Sequence, residues 1–448
     1  MKKFSLVKRV EKMYEVKVVG GGLAGCEAAW YLANHGVKVK LYEMRPKKMT
    51  PAHHTDKLAE LVCSNSLRSQ EITTAAGVLK EEMRLLSSII IQKAHDYSVP
   101  AGSALAVDRE KFSNAITLEI QNHPNIELIR EEVTQIPDPP AVLATGPLTS
   151  ENLSYALMEL LGSKYLYFYD AAAPIITADS IDWNIAFWGS RYGKGDEDYV
   201  NLPMTEEEYY NFYNELINAE VVELKEFEKP QYFEGCMPIE VMAKRGPQTL
   251  LFGPLKPVGI VNPRTGEQPF AVVQLRKENK EGTLFNLVGF QTSLKWPEQK
   301  RVFSKIPGLK DPEFVRFGFI HRNTFILSPK FLNPTLELKI KKGIFLAGQI
   351  TGVEGYIESA ASGIVAGINV LRYIKGKELL VFPKETVVGA LLDYITTADA
   401  KNFQPMKANF GILPPLNDKI KNKKIKNEKL GERAINVLKN FIVENNVV

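Results

Sequence analysis

Tyr14–Glu43 reads YEVKVVGGGLAGCEAAWYLANHGVKVKLYE, and the architecture of this chain follows from it. Tyr14–Val19 is apolar and β-branched and predicts a buried strand. Gly20, Gly21, Gly22, Leu23, Ala24 and Gly25 follow at once. Cys26–Asn34 is made of good helix formers and is stopped by Gly36, and Val37–Glu43 predicts a second strand. This is one complete βαβ unit, with Gly20-x-Gly22-x-x-Gly25 lying where a dinucleotide fingerprint belongs, between strand and helix. Gly20 makes the tight turn, Gly22 lets a pyrophosphate approach the backbone, and Gly25 lets helix and strand pack closely. The helix start supplies N–H groups and a partial positive charge for phosphates. Glu43 lies eighteen positions after Gly25, where its carboxylate can accept hydrogen bonds from both hydroxyls of a ribose.

Two later stretches choose between the dinucleotides. Ala141–Pro147 (AVLATGP) resembles the Ala-Thr-Gly segment of two-domain flavoproteins, with Gly146 in it. Ile344–Glu354 (IFLAGQITGVE), with Gly348 and Gly352, resembles their later segment, in which a strand delivers backbone to the flavin end. Three segments in this order point to tightly bound FAD over exchangeable NAD. The expected fold is α/β: a Rossmann-like, glutathione-reductase-like FAD-binding domain that is discontinuous, with an inserted mixed α/β domain. Its parts are residues 1–170, an insertion over 171–325 that carries Cys236, and residues 326–448 with a basic C-terminal tail. Leu58–Leu86 predicts mostly helix, with loop signals around Ser64–Ser69, and Gly355–Tyr373 predicts a helix of small residues. Gln248–Phe252, Phe270–Leu275 and Leu284–Phe290 read as β-like.

Composition sets the outer limits. The chain has 448 residues, 45% hydrophobic and 24% charged, as in a globular enzyme of two or three domains. No apolar run reaches the ~20 residues of a membrane span. Cys26, Cys63 and Cys236 are odd in number and widely spaced, which excludes a disulfide framework and suits a reducing cytoplasm. No clustered His/Cys set points to a metal. The net charge of +4 permits an anionic partner without requiring one.

The chain also carries, in order, GGGLAGCEAAWYLANHGVKVKLYEMRP from Gly20, LAELVCSNSLRS from Leu58, GSALAVDRE from Gly102, FEGCMPIEVMAKRG from Phe233, FGPLKPVG from Phe252, FLAGQITGVEGYIESAASG from Phe345 and FQPMKANFGILPP from Phe403. In these it resembles the bacterial folate- and FAD-dependent tRNA (uracil-5-)-methyltransferases, a subset of the glucose-inhibited-division-type flavoproteins. The Cys-Ser-Asn-Ser-Leu and Gly-Cys-x-Pro-Ile-Glu segments are the most specific. The resemblance implies that a uridine in the T-loop of tRNA gains a methyl group at C5. It implies 5,10-methylenetetrahydrofolate as carbon donor, FAD reduced by NADPH or NADH, and no obligatory protein partner. Three alternatives stand beside it: the same chemistry on a ribosomal RNA uridine, the flavoprotein subunit of a two-protein tRNA wobble-uridine complex, and a flavin oxidoreductase for a small molecule.

Uracil C5 is a poor nucleophile until a thiolate adds to C6, so this chemistry wants an activated cysteine. The resemblance implies Cys236 for the covalent role and Cys63 for a second, proton-handling thiol near the flavin, and the reverse assignment stays open. Judged as residue types alone, both would be inert core cysteines, and Cys26 is read as helix packing. Glu240 could orient a group near Cys236, although a surface carboxylate is the plainer reading. Lys244, Arg245 and Lys256 could hold RNA phosphate or the folate glutamate. His53 and His54 could shuttle protons. Tyr232, Phe233 and Trp296 could receive an unstacked base. Arg45–Lys48 (RPKK) and the tail Lys419–Lys429 are the local basic segments, the latter as readily a solvated, frayed end as an RNA contact.

Overall fold

The computed structural model describes residues 14–162, 166–193, 198–222, 237–279, 281–309, 311–400, 403–418 and 420–447. Cys236, Tyr232, Phe233, Lys419 and the arm before Tyr14 lie outside the described residues.

Strand β1 (Glu15–Val19) leads into helix α1 (Leu23–Asn34), and β2 (Lys38–Tyr42) returns parallel to β1, pairing Val16 with Val39 and Val18 with Leu41. Strands β3 (Ile126–Ile129), β4 (Ala141–Leu143) and β5 (Ile344–Leu346) complete a five-stranded sheet in the order β5-β4-β1-β2-β3, parallel throughout. Its central strands are short apolar runs because both faces are covered. Helix α2 (Tyr356–Ile374) packs against α1, and only small residues permit the approach: a Cβ on Gly363 would stand 2.2 Å from the carbonyl oxygen of Ala24.

Between β4 and β5 the chain builds a second lobe with its own core. Six antiparallel strands, in the spatial order Phe187–Trp188, Tyr199–Met204, Ala271–Lys277, Leu284–Leu287, Ile175–Thr177 and Phe314–Arg316, pack Leu202, Phe212, Phe285, Phe290 and Phe303 inside. Strands Leu166–Ala172 and Phe319–Phe325 pair antiparallel and carry the chain out to this lobe and back. The α/β class and the flavoprotein-type sheet are as expected.

Three local expectations are corrected. Leu58–Thr74 is not helical; helix begins only at Ala75, after a short strand at Ser66–Ser69. The serines explain this, since Ser64 and Ser66 side chains accept the N–H groups of Ser66 and Arg68 at 3.1 Å and so compete with helical bonding. Thr249–Phe252 is a helical turn rather than β, a run too short for its periodicity to decide. The basic tail is no frayed end from Lys423 onward: Lys423–Asn445 forms helix α3, seated through Leu430, Ala434 and Leu438.

Candidate active site

The C-terminal edge of β1 is where the chain turns to opposite sides of the sheet, with β2 on one flank and β4 on the other, and ligands bind at such switch points. A cleft of about 350 Å³ opens there. Gly20, Gly21, Gly22, Leu23, Ala24, Glu43, Gly146 and Gly348 line it, and so does Cys63.

The glycines divide by what a side chain would meet. Gly20 has φ +105°, and a Cβ there would lie 2.4 Å from the Ala144 carbonyl oxygen. On Gly25 it would lie 1.8 Å from the Gly20 carbonyl oxygen, so Gly25 closes the turn from behind. On Gly22, which caps α1, it would meet nothing within 4 Å. The loop therefore leaves open space at the helix start, where a pyrophosphate is favoured. Gly146 also faces open space. Gly348 already gives its N–H to Ser362 Oγ at 2.8 Å. Gly352 stands apart from the cleft, packed so that a Cβ would be 2.6 Å from the Phe403 ring.

Glu43 is fixed before any ligand arrives. Its Oε2 accepts the Gly21 N–H at 3.0 Å, and its Oε1 accepts the N–H and Nε–H of Arg45 at 3.0 and 2.9 Å. Burial alone would raise this carboxyl, but the hydrogen bonds and charge of Arg45 hold it below the usual carboxylate range. Arg45 in turn reaches Glu60 at 3.0 Å and is 2% exposed, so it is withdrawn from any RNA surface. Lys48 is likewise paired, with Glu132 at 2.8 Å. Charge counting took Arg45 for a surface cation, although the Glu-x-Arg spacing was there to be read.

Beside Cys63, the Tyr356 hydroxyl accepts the backbone N–H of Cys63 at 2.8 Å and of Ser64 at 3.3 Å, and lies 2.9 Å from Cys63 Sγ. With both lone pairs engaged, its proton is directed at the sulfur. Burial first, then the charge of Cys63, pushes the phenol well above its usual value, so this proton stays in place at neutral pH. Around the segment stand Arg109, whose Nη1 donates to the Leu61 carbonyl at 2.7 Å, and Arg316, whose Nη1 donates to that of Val62 at 2.9 Å. Sequence reasoning missed Tyr356, Arg109 and Arg316.

The remaining candidates scatter. His53 lines the cleft with Nδ1 2.6 Å from Thr50 Oγ1, whereas His54 stands edge-on to the Phe319 ring. Cys26 is buried, and its thiol is pushed far up by burial, then by Glu27 and Glu43. Glu240 is no surface carboxylate; it is 1% exposed and accepts from Thr292 Oγ1 and the Ser293 N–H, both at 2.8 Å. Lys244 and Arg245 are exposed, Lys256 is half-buried, and Trp296 stacks on Phe317 at the surface. Among the described residues, no group of three or more His, Cys, Asp or Glu could hold a metal, and no helix is long and apolar enough to cross a membrane.

Residues 15–378 match the family model described as glucose inhibited division protein A. The methylenetetrahydrofolate–tRNA-(uracil-5-)-methyltransferase TrmFO of Brevibacillus brevis is 62% identical over 429 residues, covering 96% of this chain and 98% of that one. The TrmFO of Bacillus subtilis is 61% identical over 423 residues, covering 94% and 97%. The crystal structure of GidA from Aquifex aeolicus superposes with a TM-score of 0.68 over 97% of this chain and 77% of that one, at 20% identity, a likeness of fold.

Proposed function

The chain belongs to the glucose inhibited division protein A family, among its methylenetetrahydrofolate–tRNA-(uracil-5-)-methyltransferases, and on that premise we propose that it methylates C5 of a T-loop uridine in tRNA with carbon from 5,10-methylenetetrahydrofolate. The observation that carries this reading is a single cleft running from the glycine loop to Cys63.

The donor set fits FAD. Gly22 leaves room for the pyrophosphate, Glu43 stands at the ribose position with an acceptor lone pair remaining, and Gly146 and Gly348 form the walls toward the flavin end. Bound there, FAD supplies the electron pair that reduces the exocyclic methylene to methyl, and NADPH or NADH replenishes it.

The protein's own groups handle the thiol and proton chemistry. In this reading Cys236 adds to C6 as thiolate, and the resulting enolate makes C5 nucleophilic. Cys63 then takes the C5 proton once the one-carbon unit is attached, the amine that carried the carbon leaves so that C5 bears an exocyclic methylene with Cys236 still on C6, and reduction of that methylene to methyl expels Cys236. Tyr356, donating to the Cys63 sulfur, holds that thiolate in place. We take residues 171–325 as the RNA-facing lobe, and a tRNA substrate places the reaction in the cytoplasm.

The test is 5-methyluridine formation on unmodified tRNA transcript with 5,10-methylenetetrahydrofolate and NADPH, read by mass spectrometry of digested RNA. Cys236→Ala and Cys63→Ala should each abolish it. Product on ribosomal RNA alone, or only with a second protein added, would overturn the assignment.

A further inference from the structure

Cys63 belongs in sequence to the nucleotide-binding lobe, but the inserted lobe grips the segment that carries it. From the edge strand Phe314–Arg316, Arg316 donates to the Val62 carbonyl at 2.9 Å and to that of Ala173 at 3.3 Å. From Ala271–Lys277, Arg276 donates to Asn65 Oδ1 and to Ser64 Oγ, both at 2.9 Å. Arg109, on the helix Arg109–Asn122, donates to the Leu61 carbonyl and pairs with Glu278 at 2.7 Å.

These interactions leave charge unbalanced. Among the described residues, Glu278 is ion-paired with Arg109 alone, Arg276 and Arg316 have no carboxylate partner, and the Arg316 Nε is buried without a hydrogen-bond partner. Surplus buried cation is costly unless a negative group accompanies it. Burial, and then the like charge of Arg109, bring Arg316 down to about 10, which still leaves it charged at neutral pH. Against burial, Glu278, Tyr356 and Cys63 hold Arg109 above its usual value. Cys63 is thus a group beside both Arg109 and Arg316 whose ionisation would offset one of the surplus charges. Among the described residues, the charged and titratable groups that meet the segment around Cys63 include Tyr356 from α2, Arg109 from its helix, and Arg276 and Arg316 from the inserted lobe, with Glu278 on Arg109. Arg68, farther along its own segment, is committed to Glu358 at 2.5 Å.

We propose that Arg316 is a positioning residue for the methyl transfer: together with Arg109 it holds Cys63 as a thiolate, so this thiol is armed only while the inserted lobe is seated. The inference rests on the reading of Cys63 as a reactive thiol, and its test does not use methylation, so each can fail alone.

The test is the pH dependence of iodoacetamide alkylation at Cys63, followed by peptide mass spectrometry on FAD-loaded protein carrying Cys236→Ser. The parent should show a midpoint below the ~8.5 of an ordinary cysteine. Arg316→Met should raise that midpoint by at least about one unit, and Arg316→Lys should recover part of the shift. Glu278→Gln removes only negative charge and should lower it. Coincident profiles for Arg316→Met and the parent would overturn the proposal. So would an upward or absent shift in Glu278→Gln, because mere loosening of the segment moves both variants the same way. If Arg316→Met fails to fold, Arg316→Lys and Glu278→Gln decide alone.

Discussion

The Tyr356 hydroxyl and the Cys63 thiol meet at 2.9 Å, while the same hydroxyl accepts the cysteine's own backbone N–H at 2.8 Å. One side chain thus fixes both the position of the cysteine and the proton facing its sulfur. Tyr356→Phe removes that proton and strands two N–H groups, at a cost of about 1–3 kcal/mol where they stay buried. We expect single-turnover methylation to fall at least about tenfold and urea stability to drop within that range. Wild-type turnover in this variant would remove Tyr356 from the chemistry.

The glycine loop separates folding from cofactor binding. Gly22→Val projects into empty space, and its backbone is already extended at φ −76° and ψ −173°. The variant should therefore fold with nearly unchanged circular dichroism yet lose FAD affinity at least about tenfold by fluorescence titration. Gly25→Val drives a side chain onto the Gly20 carbonyl and should not yield folded protein at all. A yellow, fully loaded Gly22→Val protein would place the pyrophosphate elsewhere.

Glu27 gives the stability a pH signature. It is buried on α1 and accepts from Ser88 Oγ and from the N–H groups of Ile89 and Ile90, capping the helix Ile89–Asp96. Burial raises its pKa to about 8, against the opposing hydrogen bonds. Because the folded value lies above the unfolded one near 4.5, the folded state binds the extra proton between them, and stability falls as pH rises through that window. Glu27→Gln abolishes this slope, so its melting temperature relative to wild type should climb from pH 5 to pH 8. A flat or falling difference would contradict the assignment.

Helix α3 begins against its own dipole. Lys423, Lys424 and Lys426 are exposed in its first turns, Lys421 precedes them, and the first turn has no acidic residue. Changing all four to Gln should raise the KM for tRNA and flatten its dependence on salt, the log–log slope shrinking by up to about 0.9 for each phosphate no longer neutralised. The kcat and the RNA-free oxidation of NADPH should not change. An unaltered salt slope would leave these lysines merely solvated.

What the sequence disclosed was local, and what it hid was pairing at a distance. The βαβ unit could be read because its periodicities and glycines lie within thirty consecutive residues. Tyr356 stood in plain view at the start of a small-residue helix, yet its partner is 293 positions away. Arg45 looked solvated because charge counting cannot see Glu60 folding over it, and Glu240 was placed at the surface for the same reason. The serines near Cys63 did signal a loop, but the apolar residues flanking them outweighed that signal in the helical reading.

The out-and-back pair of strands that carries the inserted lobe also dictates a timetable. Strand β5 pairs with β4 across an interval of about 200 residues. At roughly 5–20 residues per second of synthesis, the nascent sheet waits some tens of seconds with one edge bare. The wall around Gly348 arrives only after that. The nascent chain therefore cannot close around its cofactor until the inserted lobe has been made, and FAD is captured as one of the last acts of folding.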